Sequence, residues 1–203
     1  MPELSAAFQS HTGHGEAEIA SSAKAFGFWI YLMSDAVIFA LLFATYTSMS
    51  HNYAGEPGGR ELFDLGNTFV ETLLLLVSTL TCGFAMLASA KGREIPAIFW
   101  LGITFLFGVS FVLMELNEFH GMILRGAGPD RSGFLSAFFT LVGTHGLHVG
   151  VGLLWLLVMI AQIAFKGLSP SVYSRLYRFS LFWHFLDLVW VNIFSIVYLL
   201  GVL

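Results

Sequence analysis

Five long apolar stretches dominate this sequence of 203 residues. An α-helix rises 1.5 Å per residue, so roughly 20 apolar residues cross the ~30 Å hydrocarbon core of a bilayer. Each stretch is long enough to do so, and segments rich in Gly, Pro and charged residues separate them. We therefore predict an all-α integral membrane protein, a bundle of five transmembrane helices. The predicted spans are 25–49, 66–90, 96–119, 134–165 and 179–203.

The composition supports this prediction and excludes one class of partner. Hydrophobic residues make up 57% of the chain and charged residues 11%, whereas soluble domains are roughly 25% charged. The net charge is −4, and the nine Lys and Arg are scattered among the connections. No basic patch is present that would bind nucleic acid, so we predict no nucleic-acid partner.

The first 24 residues differ from the rest because they are polar and contain only one basic residue, Lys24. We predict a mobile cytoplasmic tail (1–24) followed by one transmembrane domain (25–203). Lys and Arg are more numerous on the side of the tail and of the second and fourth connections. Positive charge concentrates on the cytoplasmic side of membrane proteins, so the N-terminus is predicted to be cytoplasmic and the C-terminus periplasmic.

Ionisable side chains occur inside the predicted spans, where each costs on the order of 3 kcal/mol if it faces lipid. They are therefore expected to point into the protein interior. Counting depth along the helices places one group in the inner half of the membrane. This inner-half group comprises Asp35, His145, His148, His184 and Asp187.

A second group is predicted near the outer face, with easier access to water. Snorkelling to the interface, or pairing with Arg125 and Arg131 of the following loop, would explain it without special chemistry. This outer-side group comprises Glu71, Glu115, Glu118 and His120.

Three chemical uses compete for these side chains. A hydrogen-bonded network between helices would fix the packing, and a proton relay could use the same groups because both carboxyl and imidazole groups can titrate. A di-iron site is a poor match, since it uses Glu-x-x-His on two helices, whereas the i,i+3 pairs here are Glu-x-x-Glu, His-x-x-His and His-x-x-Asp. We predict a structural network first, a proton-related role second, and neither a metal nor a catalytic residue in this chain.

Two other functional classes stay open. A free-standing b-type cytochrome would use His145, His148 and His184 as ligands. A small transporter would be expected to show an inverted repeat or a pair of broken helices, and the sequence shows neither.

Four segments carry a resemblance to a known family. They are 28–35 (FWIYLMSD), 128–134 (GPDRSGF), 143–149 (GTHGLHV) and 182–190 (FWHFLDLVW). In this order they resemble subunit III of the haem-copper terminal oxidases, over nearly the whole chain from residue 25. The chain is most similar to the five-helix branch, found in bacterial cytochrome o ubiquinol oxidases, which lacks two helices present at the start of the seven-helix relatives. Those relatives usually carry Glu in place of Asp35.

The resemblance implies a subunit that binds no cofactor and packs beside the catalytic subunit I, which holds haem and copper, and other oxidase subunits. The complex would be a proton-pumping ubiquinol oxidase of the aerobic respiratory chain in the bacterial inner membrane. The family is associated with stability of the complex, with lipids held in a cleft between the first two helices and the rest of the bundle, and with sustained proton uptake. Subunit III of a cytochrome c oxidase is the alternative.

Overall fold

The computed structural model describes the backbone of residues 2–50 and 64–202, without the side chains of residues 2–22, 24 and 202. Within these ranges the chain is helical, and five helices are long and apolar enough to cross a membrane. This confirms the predicted fold class. The helices are α1 (Pro2–Met49), α2 (Leu65–Ala90), α3 (Glu94–Leu124), α4 (Gly133–Lys166) and α5 (Pro170–Ile193), which continues as a π-helical segment (Phe194–Leu199) and a last α-turn (Leu200–Val202).

Local sequence signals explain most helix ends. Asp64 caps α2, because its Oδ1 accepts hydrogen bonds from the backbone N–H groups of Gly66 at 3.0 Å and Asn67 at 3.4 Å. Ser132 caps α4 by accepting from the N–H of Leu135 at 3.2 Å. The first connection between spans, which the sequence shows to be rich in Gly, lies outside the described residues.

Three predicted boundaries differ from the structure. The backbone of residues 2–24 continues α1 as a helix, and the mobility and membrane side of this tail stay predictions. α3 extends past 119 to Leu124. α5 begins at Pro170 rather than at 179, because Ser169 caps it and proline suits a first turn. Helix continues beyond the apolar stretch in both cases, and which part of each helix lies in the membrane stays a prediction.

The chain divides into two units, residues 1–38 and 39–203. The first consists of the greater part of α1. In the second, each of α2, α3, α4 and α5 packs against the next, and α5 packs against α2, so these four helices close a ring. The remainder of α1, from Phe39, lies against α4 and α5, where the Phe39 ring contacts His148 at 5.3 Å and Phe185 at 6.4 Å between centroids.

Trp183 lies at the centre of the four-helix ring and joins all its helices. Its indole Nε1 donates a hydrogen bond of 3.1 Å to the Ser78 hydroxyl on α2. The ring fits against two glycines, Gly108 on α3 and Gly152 on α4, where an added Cβ would come within 3.0 and 2.9 Å of indole carbons. The side chain is 1% exposed. The absence of a side chain at both glycines therefore lets α3 and α4 close on the indole.

Candidate functional site

The inner-half histidines of α4 differ from each other in their surroundings. His145 is fully buried in an aromatic cluster, stacked on Trp190 at 5.2 Å and meeting Phe111 edge-on at 5.9 Å. Neither of its ring nitrogens has a hydrogen-bond partner among the described residues. His148, one turn further on, lies with its Nδ1 2.7 Å from the backbone carbonyl oxygen of Thr144.

His184 and Asp187 lie on one face of α5, as their i,i+3 spacing predicts. The Nδ1 of His184 is 2.7 Å from the carbonyl oxygen of Ser180, in its own helix. Asp187 is 8% exposed, its Oδ1 has no hydrogen-bond partner within the described part of the chain, and His184 and Thr79 are close to its carboxyl group. Thr79 belongs to α2, so this polar patch lies between two helices.

Asp35 belongs to the first unit, and within that unit Tyr31 lies in hydrogen-bonding reach of its carboxyl group. Its predicted meeting with the histidines stays a prediction. The Phe39 ring of α1 contacts His148 and also His145, at 6.3 Å between centroids. Asp187 lies beside His184. The structure thus brings together parts of the inner-half group, and the complete network stays a prediction as well.

The outer-side group differs from its predicted environment. Glu71 is 0% exposed and Glu115 is 2% exposed, so the expectation of easy access to water is wrong for both. The reason is that both side chains are packed inside the protein, and Glu115 lies against Gly146 of α4. Glu118 is half-buried and accepts a 3.1 Å hydrogen bond from the Tyr198 hydroxyl in the π-helical segment. His120 lines a cleft at the same end of the bundle.

Hydrogen bonds between helices supply much of the remaining polar contact, and the sequence did not reveal them. The Trp190 Nε1 donates to the Thr72 hydroxyl at 3.1 Å, and the hydroxyls of Thr81 and Thr104 are 2.8 Å apart. Ser, Thr and Trp are too common in membrane helices to signal pairs of this kind from sequence alone. The spacing of Thr68, Thr72 and Thr79 on α2 is the one available hint, because such i,i+4 and i,i+7 sets share a helix face.

A groove of about 440 Å³ opens on the outside of the bundle between α2 and α5. Its walls are mostly apolar, and His184 and Asp187 supply its polar end. Among the side chains that the structure describes, no three His, Cys, Asp or Glu residues come together as a possible set of metal ligands. Because its walls are mostly apolar, the groove has the character of a binding surface for a largely apolar molecule.

Comparisons with known proteins show the family to which this chain belongs. Residues 6–202 match the family described as "Cytochrome c oxidase subunit III". The "Cytochrome bo(3) ubiquinol oxidase subunit 3" of Pseudomonas aeruginosa is 54% identical over 190 residues, which cover 94% of this chain and 91% of that protein. The protein of the same name from Pseudomonas putida is 54% identical over 177 residues, covering 87% and 86%. The "Cytochrome c oxidase subunit 3" of Bacillus sp. (strain PS3) is 43% identical over 178 residues, covering 88% and 86%.

The family match extends over all five transmembrane helices, including the four segments that carried the resemblance in the sequence. The resemblance is thereby confirmed. The five apolar helices make the chain a multi-pass membrane protein. It belongs to the cytochrome c oxidase subunit III family of the haem-copper oxidases.

Proposed function

We propose that this chain is the non-catalytic subunit III of a proton-pumping haem-copper oxidase that oxidises ubiquinol and reduces dioxygen in the bacterial inner membrane. The observation that carries the proposal is the 54% identity, over nearly the full length of both chains, to relatives named as subunit 3 of a ubiquinol oxidase. The chain takes part in an enzyme without itself holding the redox centres. The catalytic subunit I supplies haem and copper, and the remaining oxidase subunits complete the complex.

The role of the chain in that complex is to stabilise the catalytic subunit and to bind lipid. The groove between α2 and α5 supports lipid binding, because four of its apolar side chains are between 39 and 60% exposed and a phospholipid acyl chain would cover them. These side chains are Leu76, Leu80, Phe84 and Leu87.

The inner-half group serves first to fix the helices in place and second to support proton uptake. Asp187 tests the structural part of this proposal, because its carboxyl group lies between α5 and Thr79 of α2. Asp187→Ala should weaken retention of the chain in the purified complex or lower its thermal midpoint. Asp130→Ala is a control for loss of a carboxyl group, since Asp130 is exposed in the connection between α3 and α4. An unchanged midpoint in Asp187→Ala, together with full retention, would contradict the structural role.

The electron donor is tested by purifying the complex through a tag on this chain. We expect oxygen consumption with ubiquinol as donor and none with reduced cytochrome c. The opposite result would assign the chain to a cytochrome c oxidase, as the name of the Bacillus relative allows. Orientation is tested separately, in sealed membrane vesicles that contain the complex. We propose a cytoplasmic N-terminus, so the thiol of Ser5→Cys should react with an impermeant reagent only in inverted vesicles.

A further inference from the structure

Three glutamates, a tyrosine and a π-helical segment meet in the half of the bundle that contains the start of α2 and the end of α3. Glu115 and Glu118 are one turn apart on α3, and Glu71 approaches them from α2. Each of these three carboxyl groups is within electrostatic range of at least one other. Tyr198 completes the set from the π-helical segment, with its hydroxyl donating to Glu118 Oε2 at 3.1 Å.

Glu71 is the unusual member, because it is fully buried and aimed into this set without any partner. Both of its oxygens lack a hydrogen bond among the described residues, and so does Oε1 of Glu115. Moving an ionised carboxylate out of water without a partner costs several kcal/mol. Two such groups close together would also repel each other. A bound proton or cation would remove both of these costs.

The residues around Glu71 and Glu115 favour a proton as the positive charge bound there. Among the described residues, no group of three acidic, His or Cys side chains has the arrangement that would hold a metal ion. Arg125 acts electrostatically on Glu118, and it is not among the groups that act on Glu71 or Glu115. A single proton on a carboxyl group needs no cage of ligands, and it turns a repulsive pair into a donor and an acceptor.

The fold keeps room for these carboxyl groups. Gly146 of α4 faces Glu115, and a Cβ at that position would lie 2.6 Å from both carboxyl oxygens. The π-helical segment adds to this, because a widened turn is costly and π-bulges occur frequently at functional sites. It includes Tyr198, the residue that binds Glu118.

A route to water reaches the set at Glu118. A cleft of about 250 Å³ lies at this end of the bundle, and the Glu118 side chain forms part of its wall. The rest of the lining is polar or charged for the most part, in contrast to the groove between α2 and α5. Its polar lining residues are Asp64, Asn67, Asn117, His120 and Arg125.

We propose that Glu71, Glu115 and Glu118 form a proton-binding site that exchanges its proton with water through the cleft at Glu118. Glu118, hydrogen-bonded to Tyr198, is the entrance, and the Glu71 and Glu115 carboxyl groups hold the proton inside. The step is a simple transfer of H⁺ from water in the cleft to a carboxylate, with no electron transfer. The site goes beyond the proposed function, because neither the structural role nor lipid binding requires an exchangeable proton here.

The charged and titratable groups around the site come from every element packed on it. Asp64 precedes α2, which contributes Glu71, while α3 contributes His120 and Arg125 beside its two glutamates. From α4 the neighbour is Gly146, and the adjacent His145 is stacked on Trp190. The π-helical segment contributes Tyr198. Any observed titration must therefore be assigned by variants of the glutamates themselves.

Infrared difference spectroscopy of the purified complex at two pH values provides the test. We expect a protonated-carboxyl band that moves to lower frequency in D₂O and is lost in Glu71→Gln or Glu115→Gln. Glu118→Gln should slow the shift after transfer to D₂O, because the entrance loses its proton acceptor. Glu94→Gln, at the opposite end of α3 and bonded to the Leu168 N–H, is the matched control and should leave the band unchanged.

Three outcomes would overturn the proposal. They are a spectrum unchanged by Glu71→Gln and Glu115→Gln, a band that never responds to D₂O, and a band whose position depends on sodium concentration rather than pH. If a Gln variant fails to assemble, Glu71→Asp keeps a carboxyl group and should shift the band instead of removing it; an unshifted band would again contradict us. Oxidation of ubiquinol by the complex is measured in a separate assay. A negative result for the proton-binding site can therefore be told apart from a negative result for the proposed electron donor.

Discussion

Gly152→Ala is the substitution that most sharply tests the packing around Trp183. The new Cβ would lie 2.9 Å from Cζ3 and 3.2 Å from Cε3 of the indole. Ordinary van der Waals contact begins at 3.4 Å, so the ring would have to retreat by about 0.5 Å. It cannot do so freely, because Gly108 closes the other side and Nε1 is bonded to Ser78.

The expected cost follows from overpacking, which destabilises a well-packed core by about 1–3 kcal/mol. Gly150→Ala is the matched control on the same helix, since nothing lies within 4 Å of its added Cβ. Both substitutions gain up to about 1 kcal/mol of helix propensity, which cancels in the comparison. Gly152→Ala should therefore be about 1–3 kcal/mol less stable than Gly150→Ala.

The assay heats the solubilised complex carrying a fluorescently tagged chain and follows the temperature at which the chain leaves the assembled peak in size-exclusion chromatography. For a chain of this length, each kcal/mol corresponds to about 2–4 °C in midpoint. We expect a lower midpoint for Gly152→Ala. Equal midpoints, or a higher one for Gly152→Ala, would refute the claim that the indole is confined at this position.

Two further substitutions test individual contacts. Ser78→Ala removes the acceptor of a buried indole N–H and should cost about 1–3 kcal/mol of stability. Its control is Ser110→Ala, which loses only an exposed hydrogen bond within its own helix and should change the midpoint little. Equal effects of the two substitutions would count against the indole bond. Gly167→Ala should destabilise by about 1–3 kcal/mol because its φ of +68° and ψ of −175° suit glycine almost alone. The destabilisation by Gly167→Ala should also be larger than that by Gly92→Ala. Of these two positions, only 167 would bring an added Cβ against a carboxylate, that of Glu94 at 2.7 Å. The reverse order would show that this contact is unimportant.

The membrane fold could be predicted from the sequence because hydrophobic length alone separates spanning helices from connections. Helix ends were harder to place. Pro170 and the residues after it are too polar for a hydropathy criterion, yet they remain helical because Ser169 caps the start. The π-helical segment was not foreseen, since its apolar sequence is indistinguishable from that of an α-helix.

Candidate residues can be chosen from the sequence, whereas the environment of each side chain cannot. Depth along a helix gives the level of a side chain in the membrane but not the direction in which it points. This is why Glu71 and Glu115 were expected near water, although both face the protein interior. The contact of Gly146 with Glu115 depends on how α3 and α4 pack together, which no local pattern encodes.

The central claim is that this chain serves an oxidase whose redox centres lie in a partner subunit. The most direct measurement is an optical spectrum and metal analysis of the tagged chain, purified once with the other oxidase subunits present and once without them. We predict haem and copper in the first preparation, carried by a larger co-purifying chain, and neither in the second. A second preparation with stoichiometric haem or copper bound through His145, His148 or His184 would contradict the account.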